Sequence, residues 1–398
     1  MNQKYSKFLV LAIILFVMLP GANAQDSLIN ALKDNQSENA RNFKFTTLID
    51  LETTSVKDQK TSGTCWSFST NSFLESEMIR MGKEPVNLAN LFTARNAYID
   101  KGTNYVRMHG AVNLGDGGSP HDVINMYAKY GALPQEVYSG NHYGTMLNTS
   151  ERLNRVTKSI LDKVVRNNKG RVDTAWKKEY SATIDASMGA VPASFDYKGK
   201  TYTPKSFAIE VVGLNPKDYV GISSFNNVPY YEQSVLMVPD NWSFDKVYNV
   251  KLNDLTDIVD FALKNGFTVA WAADITEKSF SWKNGIAVVP PKDYENLSKK
   301  EKSDLFNGPQ QEMDISPVLR QESFDNYRTT DDHGMQIVGL ATDQNGKAYY
   351  RVKNSWGTGN DFKGFIYVTK AYFKYKTTSI LLNKNGIPAN ISELLKLK

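Results

Sequence analysis

Apolar positions in the first third of the chain recur at helical spacing. Phe73, Leu74, Met78 and Met81 share one face over residues 65–81, and Gly82 closes that segment. Val123, Ile124, Tyr127 and Ala128 share a face over Pro120–Tyr130, and Gly131 follows. Residues 151–180 are densely charged, with Leu153, Val156, Ile160, Leu161 and Val164 at helical intervals. This pattern predicts a solvent-facing helix pair or an inserted lobe. Strand-like runs dominate later: Val211-Val212, Tyr219–Ile222, Ser234–Val238 and Tyr248–Leu252, then a helix over Leu255–Asn265 and a buried strand over Phe267–Ala272. Met335–Thr342, Ala348–Lys353, Gly364–Thr369 and Thr378–Leu382 continue the strand pattern, with an Asp343-Gln344-Asn345-Gly346 turn between the first two. A helical first half and a sheet-rich second half predict an α+β protein of two lobes.

Composition narrows the class without naming a function. The 398 residues are 41% hydrophobic and 12% aromatic, as in an ordinary folded protein. A net charge of +5 is small for this length and scattered, so nucleic acid and anionic membranes are not expected partners. Residues 1–24 read as an export signal. Lys4 and Lys7 precede the apolar run Phe8–Leu19, and Ala22-Asn23-Ala24 supplies small residues for cleavage. A membrane anchor needs about 20 apolar residues, and Pro20-Gly21 stops this run short, so the mature chain is expected to be exported without stable membrane insertion. Cys65 is the single cysteine, which excludes an internal disulfide. A lone thiol is either an inert packing residue or a reactive group, and its neighbours must decide.

Those neighbours favour reactivity. Cys65 begins a helical segment, where free N–H groups and the positive dipole end would stabilise a thiolate. Gly63 allows close backbone approach just before it, and Gln59 brings a side-chain amide that, with the Cys65 N–H, would form an oxyanion hole. Of the four histidines, His109, His121 and His142 lie in loop or helix-start contexts and read as ordinary surface or capping residues. His333 precedes a buried strand, which would hold it rigidly as a general base, with Asp332 adding negative charge beside it. In Asn354-Ser355-Trp356-Gly357, the Asn354 amide oxygen could fix the imidazole tautomer, and the Trp356 indole could shield that bond. No His-Glu-x-x-His, CxxC or phosphate-cradling motif is present, and neither metal nor organic cofactor is expected.

The segments Gln59…Gly63-Thr64-Cys65-Trp66-Ser67-Phe68, Asp332-His333-Gly334-Met335 and Asn354-Ser355-Trp356-Gly357 together resemble the active-site blocks of papain-like cysteine peptidases. Asp116-Gly117-Gly118-Ser119-Pro120 resembles the Gly-Gly segment of that family, which implies that Gly117 and Gly118 pair with the backbone of a peptide substrate. Cys65 and His333 are 268 positions apart, with the extra length between Tyr138 and Phe244. This spacing, with Lys129-Tyr130-Gly131-Ala132-Leu133-Pro134 and the run Asn265–Asp274, resembles the bleomycin hydrolase and aminopeptidase C branch. The resemblance implies a papain-like two-lobe fold: a mainly helical lobe over 25–144, an insertion over 145–240 and a mainly β lobe over 241–398. It also implies peptide substrates, aminopeptidase action and a possible homo-hexamer. Only Asn383–Lys398 follow the last predicted strand, so the C-terminal arm that holds the substrate amine in that branch is expected to be missing or much shortened. An endopeptidase or oligopeptidase with an open cleft is therefore a competing expectation, and an inactive papain-like binding protein a more distant one.

Overall fold

The computed structural model describes residues 42–140, 149–167 and 174–397. The proposed signal segment and His142 lie outside the described residues. Nine elements carry the helical side and its connections. They are β1 (Thr46–Asp50), α1 (Cys65–Arg80), α2 (Asn90–Arg107), α3 (Pro120–Tyr130), α4 (Thr149–Arg166), α5 (Trp176–Met188), the hairpin β2–β3 (Phe195–Tyr197, Lys200–Tyr202) and β4 (Tyr219–Ser223). The remaining strands are β5 (Gln233–Val235), β6 (Lys246–Asn249), β7 (Val269–Ala273), β8 (Phe280–Ser281), β9 (Ile286–Ala287), β10 (His333–Thr342), β11 (Ala348–Lys353), β12 (Phe365–Thr369) and β13 (Thr377–Asn383). Helix α6 (Leu252–Lys264) enters β7, and α7 (Ala389–Leu394) ends the described chain.

Among the described residues the main sheet has eleven strands, ordered β5-β6-β4-β13-β7-β10-β11-β12-β9-β8, with β1 pairing to β10. Two cores flank the contact between the lobes. One gathers α6, β7, β10–β13 and the tail around Trp271, Tyr350 and Phe373. The other joins α1–α5 around Phe73, Phe92, Tyr180 and Phe207. This is the predicted α+β, two-lobe architecture.

Two expectations need correction, and one helix was not anticipated. Helix α2 has no counterpart in the strand and helix pattern read from the sequence, because Lys101 interrupts its apolar stripe of Leu91, Ala94, Tyr98 and Tyr105. Val211-Val212 is not a strand. Thr203 caps a helix at Pro204 by accepting from Ser206 N (3.1 Å), and the turn runs on until Gly213 at φ +68°. Tertiary packing of Phe207 and Val212 overrides the β preference of two valines. The α4–α5 pair is only half solvent-facing, since Leu153, Leu161, Tyr180 and Ile184 are buried in the helical core. Tyr180 packs where a side chain at Gly102 would sit, with its ring 2.5 Å from the position of a Cβ there.

The tail turns back onto the β-lobe core. Gly386 lies against Phe267, whose ring carries the Arg80 guanidinium 4.4 Å from its centre. Arg80 is the last residue of α1 and Cys65 the first, and fifteen steps of about 1.5 Å separate them by about 22 Å along the axis. Ile391 and Leu395 are buried in the same core. Leu395→Ala should therefore destabilise the protein by about 2–5 kcal/mol in urea denaturation, the cost of emptying a packed leucine site. A change below about 1 kcal/mol would mean the tail is not part of the core.

Candidate active site

Helix α1 is buried along almost its whole length; Ser67 and Asn71 face α2, whereas Ser72 and Ser76 face the sheet. Gln336 on β10 accepts from Ser72 Oγ (2.7 Å) and donates to Ser76 Oγ (2.9 Å) and Thr268 Oγ1 (3.1 Å). Lys353 on β11 donates to Ser72 Oγ (2.7 Å) and Thr54 O (2.6 Å), and burial pushes its pKa down to about 8. These bonds dock the middle of α1 on β10 and β11. Gly334 fits there because a Cβ would lie 2.8 Å from Ser69 Oγ and 3.0 Å from Trp66 Cα. Its N–H reaches the Cys65 sulfur. The lobe contact thus brings Cys65 beside the strand whose first residue is His333.

His333 is buried and its tautomer is fixed by the backbone. Asn354 Oδ1 accepts from Ser355 N (2.8 Å), a group that can only donate. That assigns oxygen to this side of the amide, so the 2.7 Å contact between Asn354 Oδ1 and His333 Nε2 requires Nε2 to carry the proton. In the neutral ring, Nδ1 is then the basic nitrogen. The cost is a buried Asn354 Nδ2 with no partner among the described residues. Trp356 packs against the imidazole with ring centres 4.8 Å apart, backed by Trp282 at 5.4 Å.

Gln59 is held from both ends. Its N–H donates to Ser355 O (2.8 Å), its Oε1 accepts from Ser355 Oγ (2.6 Å), and Nε2 donates one hydrogen to Ser62 O (2.6 Å). The second Nε2 hydrogen has no acceptor among the described residues, leaving a donor beside the first turn of α1. Asp332 accepts from Ile275 N (2.9 Å), Thr276 Oγ1 (3.0 Å) and Thr330 Oγ1 (3.1 Å). Burial and the nearby Asp274 raise its pKa well above the ordinary carboxyl value, so it anchors the loop entering His333 more than it supplies full negative charge.

The Gly-Gly segment lies across α1. Trp66 Nε1 donates to Asp116 O (2.9 Å), and its ring sits 2.8 Å from where a Cβ at Gly118 would be. Lys101, buried, donates to Gly115 O (2.7 Å) and to Gly117 O. Gly117 is buried with its carbonyl occupied. Gly118 is half-exposed, and its N–H and C=O are unused among the described residues. Lys101 escaped the sequence reading, although a lysine on the Leu91–Tyr105 stripe is the signal that marks it. His121 joins a separate contact with Asn241 Oδ1 (3.0 Å), and His109 is exposed at φ +54°.

The helix end does not lower the Cys65 pKa as its sequence context suggests. Burial pushes the thiol up to about 12, with Asp240 and Asp331 adding to the rise, against the lowering effect of the Gly334 and Trp66 N–H groups. Desolvation outweighs two hydrogen bonds, so the resting thiol is neutral until a base takes its proton.

The chain matches the model of the peptidase C1-like family over residues 88–398. It is 25% identical to aminopeptidase W of Lactobacillus delbrueckii subsp. lactis, covering 87% of this chain and 85% of that protein. It is 22% identical to aminopeptidase C of Streptococcus thermophilus (93% and 89%), a span too long to leave out Cys65. Identity to the mitochondrial cysteine proteinase 1 of Saccharomyces cerevisiae is 23% (94% and 83%). The crystal structure of PepW from Lactobacillus rhamnosis superposes with a TM-score of 0.70 at 22% identity, covering 88% of this chain and 85% of that one.

If His333 is the base for the thiol, alkylation of Cys65 by iodoacetamide should slow sharply in His333→Ala. Because the folded pKa is raised, its rate should keep climbing with pH past the ordinary thiol value of 9.0 toward about 12. A plateau near neutral pH in that variant would mean another group ionises the thiol. With its architecture and most of its length matched, the chain belongs to the peptidase C1-like family and is a cysteine peptidase.

Proposed function

We propose that this cysteine peptidase is an exported aminopeptidase that releases N-terminal residues through a Cys65 thioester. His333 Nδ1 takes the thiol proton and Cys65 sulfur attacks the peptide carbonyl. The developing oxyanion is met by the free Nε2 hydrogen of Gln59 and the Cys65 N–H. His333 passes its proton to the leaving amine, the C–N bond breaks, and an acyl-enzyme remains. Water, deprotonated by the same Nδ1, then hydrolyses the thioester. Asn354 acts on the ring by holding Nε2–H throughout, and Trp356 keeps water from that bond.

The observation that carries the chemistry is the Ser355 N–H to Asn354 Oδ1 to His333 Nε2 chain, which leaves Nδ1 as the base in a buried site. Exopeptidase action is supported by the curated relatives, two of which bear the name aminopeptidase. Export is supported by the Phe8–Leu19 run and the small residues after it.

Cys65→Ala should abolish hydrolysis, and Gln59→Ala should lower kcat by about 10²–10³, the usual loss of one oxyanion donor. Persistent turnover in Cys65→Ala would remove the mechanism. Exopeptidase action predicts that an aminoacyl coumarylamide with a free amine is cleaved far faster than its N-acetyl counterpart, and equal rates would leave an endopeptidase.

A further inference from the structure

An aminopeptidase must recognise the substrate's α-ammonium, and the described tail is at the wrong end of α1 to do so. The cleft holds other negative groups. Asp240 lies directly over Gly117: a Cβ there would be 1.8 Å from Asp240 Oδ2 and 2.4 Å from Oδ1. Its Oδ1 accepts from Asn113 Nδ2 (2.7 Å), while Oδ2 accepts no hydrogen bond from any described residue. Asp240 makes no ion pair among the described residues, since the nearby Lys101 ammonium bonds to the Gly115 and Gly117 carbonyls.

Asp331, two residues before His333, stands near it. Asp331 Oδ2 is buried and without a side-chain partner among the described residues, Oδ1 takes a long hydrogen bond from Thr378 Oγ1 (3.4 Å), and the Asp240 backbone N–H points at the carboxyl. Both carboxyls are close enough to Cys65 for their charge to bear on its sulfur. Burial raises Asp240 to about 6, and burial with the Asp240 charge pushes Asp331 well above the carboxylate range. The charge of Lys101 works against that rise at Asp240, so two buried carboxyls share one nearby ammonium in the free protein.

The loop that delivers Asp240 is rigid. Asn241 braces it by donating to Leu236 O (2.8 Å) and Asp245 O (2.9 Å), and accepts from Asp245 N (3.0 Å). Trp242 is buried in the helical core, and Trp242 O accepts from Asn104 Nδ2 (3.3 Å).

We infer that Asp240, backed by Asp331, is the specificity-determining group that binds the α-ammonium of the substrate. This rests on the aminopeptidase reading above. Gly118 is the residue with backbone groups free for a substrate, and the Asp240 side chain covers its neighbour Gly117. A carboxylate at that place meets the substrate main chain where the ladder would otherwise continue. It blocks a longer chain and offers charge to one that ends in an amine. Neither group takes part in bond making.

The test uses the full-length protein and four coumarylamide substrates: alanyl, N-acetyl-alanyl, N-acetyl-lysyl-alanyl and N-acetyl-norleucyl-alanyl. Rates are referred to the fraction of Cys65 alkylated by iodoacetamide, so that only folded sites count. Asp240→Asn keeps the acceptor for Asn113 and removes the charge. It should cut the preference of kcat/KM for alanyl over N-acetyl-alanyl by about ten- to a hundredfold, mainly in KM, which is what a charge-assisted hydrogen bond is worth. Asp331→Asn should cut it less, and decides the matter if Asp240→Asn does not fold. An unchanged preference in the folded variants overturns the inference but leaves the aminopeptidase reading standing. Equal use of alanyl and N-acetyl-alanyl substrates by the wild type overturns both. A wild-type preference for lysyl over norleucyl that Asp240→Asn abolishes would assign the carboxylate to a substrate side chain and overturn the inference.

Discussion

The contact between the first turn of α1 and Gly334 is the constraint on which the site depends. The thiol belongs to one lobe and the imidazole to the other, so neither fold alone makes a catalytic pair. Gly334 allows the approach because any Cβ would collide with Trp66 and Ser69. The polar seam of Ser72, Ser76, Gln336 and Lys353 then fixes the register. Hydrophobic packing alone would let a helix slide on a sheet, whereas satisfied buried hydrogen bonds accept one position only.

Electrostatics in the cleft works against the resting nucleophile. Burial and two acidic side chains keep Cys65 protonated, so ionisation waits on a base placed by the opposite lobe. The same acidic surroundings suit a cationic substrate end.

Much of this was legible in sequence where a residue type has few physical uses. Cys65, Gln59, His333 and Asn354 could be singled out because a lone cysteine at a helix start, an upstream amide and a strand-root histidine answer one chemical need. Strands β10, β11 and β13 were readable from runs rich in β-branched, aromatic and aliphatic residues. Helix α2 was hidden because its buried face carries Lys101, whose use is to hold two loop carbonyls, and no periodicity registers that role. The α1 polar face gave no warning that it was buried, since serines and threonines facing a partner strand look the same in sequence as those facing water. Asp240 is separated from Gly117 by more than a hundred residues, and only the wrapping of the mid-chain segment brings them together.

Asn354 is followed by serine, a pairing that in mobile chains ages to aspartate when the following backbone nitrogen closes onto the side-chain carbonyl carbon. Here that nitrogen is Ser355 N, buried and engaged as a donor to Asn354 Oδ1. The bond that sets the histidine tautomer therefore also protects the amide from cyclisation. The orientation of the base is preserved over the lifetime of the molecule as well as within each catalytic cycle.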